Sequence, residues 1–298
     1  MSGHPLGTVH PVRTRDGRSL HAMTRGESPP GTPVVIFEGG LAAPRSYWGL
    51  VVPQVAEFAR AVVYDRAGLG QSKPDSLPRT MARMADDLGS LLDTLGPGPF
   101  ILVGHSAGGL IVRFAAADRR ERIAGLLLVD PSDEGCDTVF KPWFRLFERV
   151  AQHASSLLAR LGLLERLYRG QFKQLPPALQ AEFSAEAFTP AAMETRGAEL
   201  AGFVTAMNAL RSAPAVPVDY PLTVISGGLA DAGMSAALRA EANAAHARRA
   251  QLSRAGRHVI AERSGHFVPL TEPDVVAAEI RAMVDAAVSE SAEAFRPA

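Results

Sequence analysis

A single cysteine, Cys136, leaves this chain no disulfide framework, so packing alone must hold the fold. That scarcity fits a reducing compartment, and a cytoplasmic location is the expectation. Net charge is absent as well: 31 Lys and Arg stand against 31 Asp and Glu. No overall field is available to draw in nucleic acid or an anionic membrane, so a neutral or locally recognised small molecule is the expected partner. No stretch approaches the ~18 uninterrupted apolar residues of a membrane span. Met1 to Val9 lacks the basic-then-apolar order of a signal peptide. No internal repeat is evident, and no clustered His/Cys spacing points to a metal. Neither a metal nor an organic cofactor is expected. At 298 residues the chain can bury one large core or two modest ones.

Eight short runs read as strands. Val9–Arg13 and Ser19–Thr24 flank the turn Arg15-Asp16-Gly17 as an opening hairpin. Pro33–Phe37, Ala61–Tyr64, Phe100–Val103, Ala124–Val129, Pro221–Ile225 and Arg257–Ala261 follow, separated by segments of helical period at Tyr47–Ala59, Thr80–Leu95, Ala107–Arg119, Ser235–Leu252 and Asp274–Val288. Such alternation predicts a mostly parallel sheet with helices on both faces. Between Ser132 and Pro217 the alternation stops. Phe144, Phe147, Val150, Ala151, Ala154, Leu158 and Leu161 form an apolar stripe, and shorter helical runs cover Pro177–Ala187 and Pro190–Leu210. This insertion is best read as a helical cap.

The chain is organised around Phe100-Ile101-Leu102-Val103-Gly104-His105-Ser106-Ala107-Gly108-Gly109. An apolar strand runs into G-x-S-x-G, and a helical pattern begins at once. Small residues let strand and helix pack around a strained turn at Ser106, whose hydroxyl is pushed out at the carboxyl edge of the sheet. The Ala107 N–H then lies at a helix N-terminus, aimed at a nascent oxyanion. In Gly39-Gly40-Leu41, after the third strand, two glycines let the backbone approach a substrate, so the Leu41 N–H is a second donor. His266, in the loop Ser264-Gly265-His266-Phe267 after the last strand, is the best-placed base. His4, His10, His21 and His153 lack such a loop, His246 falls in a polar helix, and His258 falls inside a strand. Two carboxylates compete to orient the His266 ring: Asp130, before Pro131, and Asp231, in Gly228-Leu229-Ala230-Asp231. Gly40, Trp48, His105, Trp143 and Phe267 are candidates for contact with substrate. Phe144, Phe147, Phe172 and Phe203 are further aromatic candidates for the pocket. Asp65-Arg66-Ala67-Gly68-Leu69-Gly70 lacks the Lys-Ser/Thr ending of a phosphate loop, and a structural turn beneath the site is the expectation.

Glu38-Gly39-Gly40-Leu41, the Asp65–Ser72 turn, Gly104–Gly109, Val129-Asp130-Pro131 and Ser264–Phe267 together resemble the α/β-hydrolase fold superfamily, over nearly the whole chain. The resemblance implies a mostly parallel eight-stranded sheet, a cap inserted after the sixth strand, and the chain order nucleophile, acid, histidine. That order admits both Ser106–Asp130–His266 and Ser106–Asp231–His266; the Val-Asp-Pro position puts Asp130 first. Dehalogenases and epoxide hydrolases of this fold carry aspartate where Ser106 stands, so the resemblance argues against those chemistries. The implied division is core 1–132, cap 133–217 and core 218–298. The expected activity is serine hydrolysis of an ester, lactone or related acyl bond in a small, largely apolar substrate. Carbon–carbon cleavage, lyase chemistry and a non-catalytic ligand-binding role are the alternatives. The sequence leaves a homo-oligomer open.

Overall fold

The computed structural model describes residues 3–213, 215–231 and 234–294. Strands β1 (Thr8–Arg13), β2 (Ser19–Arg25), β3 (Val34–Glu38), β4 (Ala61–Tyr64), β5 (Phe100–His105), β6 (Ile123–Val129), β7 (Leu222–Gly227) and β8 (Gly256–Ala261) form one sheet in the order β1-β2-β4-β3-β5-β6-β7-β8. From β3 onward all neighbours are parallel, and only β2 runs against its neighbours β1 and β4. The carboxyl ends of the parallel strands therefore open on one edge, where loops from β3, β5, β6, β7 and β8 can meet.

Alternation along each strand divides the core between two faces. Phe100 and Leu102 of β5 point to one face with Leu126 and Leu128; Ile101 and Val103 point to the other with Leu127 and Val129. Helices α2 (Met81–Leu95) and α3 (Gly108–Ala117) cover the first face. The short α1 (Val52–Val55) and the closing α10 (Pro273–Ala294) cover the second. Burying one such Leu or Val contributes about 1.5–3 kcal/mol, and Leu102→Ala in this interior would cost about 2–5 kcal/mol. Helix α8 (Ala236–Ala250) follows β7, and the single turn α9 (Val268–Thr271) follows the β8 loop. Helix starts obey local chemistry. Thr80 and Ser235 accept hydrogen bonds from the Arg83 and Leu238 N–H groups, each at 3.2 Å.

Two helical expectations change. Tyr47–Ala59 is not one helix but a 3-10 turn, Arg45–Trp48, followed by α1, because Gly49 and Pro53 interrupt the run. Four helices lie between β6 and β7: α4 (Pro142–Arg160), α5 (Leu164–Phe172), α6 (Pro177–Ala187) and α7 (Pro190–Ser212). No strand interrupts them among the described residues. The apolar stripe of α4 does not pack as a unit. Phe144, Ala151 and Leu158, seven residues apart, are half-buried, whereas Phe147, Val150 and Leu161 stand in solvent. Among the described residues no helix is long and apolar enough to cross a membrane.

Candidate active site

Ser106 sits on the turn between β5 and α3 with φ of 54°, a conformation that costs an L-residue about 1–3 kcal/mol and persists only when its surroundings enforce it. The enforcement is visible. The Ser106 N–H donates to the Val129 carbonyl at 3.1 Å, and its carbonyl accepts from Gly109 and Ser132 N–H groups. At Gly108 a Cβ would lie 2.4 Å from the Gly39 carbonyl oxygen, so only glycine lets α3 approach the end of β3. Ala107 follows in helical geometry as the residue before α3. Its N–H, like that of Leu41, makes no hydrogen bond among the described residues.

His266 lies in the loop between β8 and α9. Its Nε2 is 3.1 Å from Ser106 Oγ, and its Nδ1 is 2.7 Å from Asp130 Oδ2. An ionised carboxylate can only accept, so Nδ1 carries the proton and the Nε2 lone pair faces the serine hydroxyl. Burial alone would raise the Asp130 pKa; hydrogen bonds from His266 and Arg239 instead hold it well below the usual carboxylate range. Arg239 of α8 grips both Asp130 oxygens, at 2.5 and 3.2 Å, and the Gly227 N–H adds a third donor at 3.0 Å. Asp231 serves a different atom: its Oδ2 accepts the backbone N–H of His266 at 3.1 Å. Of the two competing carboxylates, one holds the ring and the other holds the loop.

The Gly39-Gly40 loop is clamped from below by Arg66, which the sequence had assigned only to a turn. Its guanidinium donates to the Gly39 carbonyl at 2.8 Å and to the Gly40 carbonyl at 2.6 Å. Two carboxylates neutralise it, Glu38 of β3 and Glu199 of α7, and all three side chains are buried. Glu199 also accepts the Ala42 N–H at 3.0 Å. Burial works against ionisation of Glu199, but Arg66 holds it below the ordinary carboxylate range. In the same turn, Gly70 has no room for a side chain: a Cβ would meet the Asp65 carboxylate at 2.3 Å.

A cavity of about 270 Å³ opens over Ser106, roofed by α4–α7. Gly40, Leu41, His105, Ser106, His266 and Phe267 line its floor. Trp48 and Trp143 do not line it. Trp48 is buried against Phe37 and Tyr47, and Trp143 is 58% exposed on the outer side of α4. Phe144, Phe147 and Phe203 also lie elsewhere; Phe203 is in the core beneath α7, and of the aromatic cap candidates only Phe172 reaches the cavity. The aromatic wall is instead Tyr168, Phe172, Phe183 and Phe188, with ring centroids 5.0–5.9 Å apart. Tyr168, Phe183 and Phe188 carried no signal beyond helical spacing, which does not tell an inner face from an outer one.

Several supports escaped the sequence because they join distant segments. His105 Nε2 donates to the His266 carbonyl at 2.9 Å and lies 3.3 Å from the Tyr47 hydroxyl. Burial, then the neighbouring His266, pushes the His105 pKa down to about 3, so this ring is neutral at working pH. His246, read as part of a polar helix, is buried. It bridges the Ser226 hydroxyl and the Pro131 carbonyl, both at 2.7 Å, just behind Asp130. Among the described residues, no group of three His, Cys, Asp or Glu is arranged to hold a metal ion.

The alpha/beta hydrolase family model matches residues 35–279. An AB hydrolase superfamily protein of Gibberella zeae is 30% identical over 288 residues, covering 86% of this chain and 87% of its own length. Among solved structures, the epoxide hydrolase CorEH superposes with a TM-score of 0.72 at 21% identity, over 93% of this chain and 98% of that one. A thermophilic esterase from Thermogutta terrifontis superposes with a TM-score of 0.67 at 21% identity, over 94% and 99%. At such identities these two likenesses speak for the fold alone.

Proposed function

The chain belongs to the alpha/beta hydrolase family, and from that premise we propose that it is a serine hydrolase that opens a carboxylic ester, lactone or related acyl bond. The observation that carries this reading is the unbroken line of hydrogen bonds from Ser106 Oγ through His266 to Asp130. Ser106 Oγ attacks the acyl carbon while His266 Nε2 takes the hydroxyl proton. The carbonyl oxygen becomes an oxyanion held by the Leu41 and Ala107 N–H groups. Collapse breaks the bond to the leaving oxygen, which receives the proton from His266, and leaves an acyl-Ser106 ester. Water then gives a proton to His266 and attacks that ester; return of the proton to Ser106 Oγ releases the acid. Asp130 stays ionised throughout and holds the imidazolium that forms twice per turnover. Arg66 is a positioning residue in this scheme, since the carbonyl it grips belongs to the same peptide as the Leu41 N–H.

Helices α4–α7 act as a cap, residues 133–217, between core segments 1–132 and 218–298. The aromatic wall supports a substrate whose acyl part is small and largely apolar, in keeping with a cavity of about 270 Å³. A fluorophosphonate tests the reading, because an unassisted serine hydroxyl does not react with it. The expected result is one adduct on the Ser106 peptide by mass spectrometry, absent from Ser106→Ala. A folded protein that takes up no phosphonate rejects the acyl-enzyme and leaves the ligand-binding alternative.

A further inference from the structure

The roof of the cavity has a second face. Trp143, Leu146, Phe147, Val150, Leu157 and Leu161 are each 55–60% exposed. They recur along one side of α4 and its C-terminal end, so a single apolar face of that helix has no partner among the described residues. Leu167 of the following helix, α5, is likewise 66% exposed. Other side chains of the same two helices, Ser155, Leu164, Tyr168 and Phe172, line the cavity. Monomeric proteins rarely leave so much contiguous apolar surface in water without a use for it.

Charge identifies the kind of partner. Residues 141–173 contain seven Lys and Arg but only two Glu, an excess of five positive charges in a chain whose total is zero. The balanced total therefore hides a basic α4–α5 segment on an acidic remainder. Arg149, Arg160 and Arg166 are exposed and form no ion pair among the described residues, and Arg149 borders the apolar groove with Leu146 and Val150. We propose that this outer face of α4 and α5 docks on an anionic lipid surface. A basic amphipathic helix lies in the plane of such an interface, with its apolar side chains among the acyl chains and its cations at the headgroups. A second copy of the chain is the poorer occupant. Two-fold pairing would bring one basic α4–α5 face against another, setting like charges face to face.

The two tryptophans supply the readout. Trp48 is buried, so a spectral change on docking must come from Trp143. The full chain is mixed with vesicles of phosphatidylcholine, with and without phosphatidylglycerol, and both the pelleted fraction and the tryptophan emission are measured. The expected result is pelleting with the anionic vesicles at low salt and a blue shift that Trp143→Phe abolishes. Leu146→Ser combined with Val150→Ser, and Arg149→Glu combined with Arg160→Glu, should each lower partitioning at least about tenfold. All four positions are exposed, so circular dichroism and the melting temperature should not change. Pelleting with neither vesicle, or equally with both, overturns the proposal. A lipid-free dimer that the Leu146→Ser/Val150→Ser pair dissociates, with no vesicle binding, would give this face to a second copy instead. None of these readings depends on turnover.

Discussion

Arg66 Nη2 donates to the Gly40 carbonyl at 2.6 Å, and that carbonyl shares one peptide plane with the Leu41 N–H. Fixing the oxygen therefore fixes the direction of the N–H. A charged donor on the oxygen also polarises the N–H at the other side of the plane. Through Glu199 of α7 the same guanidinium is tied to the helices above the cavity. One guanidinium thus joins the helices above the cavity to the Gly39-Gly40 loop.

Arg66→Lys tests that link. A lysine keeps the charge but cannot reach two carbonyls and two carboxylates with a rigid fork. Loss of an oriented oxyanion donor should lower kcat by about 10²-fold while KM changes little. Glu199→Gln, which retains an acceptor for the Ala42 N–H, should show the same split more weakly. Kinetics with p-nitrophenyl esters, run beside melting curves, check both. A wild-type kcat in a folded Arg66→Lys protein would mean that the Leu41 peptide needs no clamp.

The two aspartates should separate cleanly. In Asp130→Asn the remaining oxygen stays with Arg239 and the Gly227 N–H, and the amide NH2 faces His266 Nδ1 in place of an acceptor. The wrong tautomer, with a loss in kcat near 10⁴-fold, is expected. The substitution also leaves the buried Arg239 without its counter-ion, so the melting temperature should fall as well. Asp231→Asn keeps an oxygen for the His266 backbone N–H and should cost less than about tenfold. Rates of fluorophosphonate labelling would rank the pair without a substrate in hand. Equal losses would contradict the division between ring and loop.

The strands, their order of appearance and the serine turn were legible because each is local: alternation, glycine spacing and helix caps lie within a few residues of one another. The competition between Asp130 and Asp231 was not, since both follow a strand and both approach His266. Only the geometry assigns one to Nδ1 and the other to the backbone. Arg239 and Glu199 were invisible for a similar reason, lying 109 residues from Asp130 and 133 from Arg66. Trp48 and Trp143 went astray because aromatic character marks a residue for burial somewhere without saying where. The stripe on α4 misled differently: helical period records that a face is apolar, not what covers it.

Cys136 offers a simple check on the packing beneath α8. Burial pushes its thiol up to about 11, and it lies among Leu238, Ala245 and Val139 rather than in the cavity. A disulfide reagent such as DTNB should therefore leave the folded protein unmodified near neutral pH and react with one equivalent in denaturant. Rapid modification of the native protein would mean that this segment opens readily.

The last expectation concerns pH. Arg45 is buried among three carboxylates, Asp65 beneath it and Glu182 and Glu186 of α6. One cation cannot balance three anions. Burial, then the negative charge of Asp65, lifts the Glu186 pKa from 4.5 to about 7, against the opposing pull of Arg45. A carboxyl raised on folding binds its proton more tightly in the native state, so its contribution is most favourable at low pH and is lost as pH rises from 4.5 to about 7. Glutamine imitates the protonated form. Glu186→Gln should therefore leave stability unchanged near pH 4 and raise it by about 1 kcal/mol at pH 8, a figure reduced to allow for partial solvent screening. Urea denaturation of both proteins at the two pH values measures the difference directly. A variant less stable than wild type at the higher pH would show that the Arg45–Glu186 pair outweighs the crowding of its three acids, and that α6 is held to the core by that ion pair rather than in spite of it.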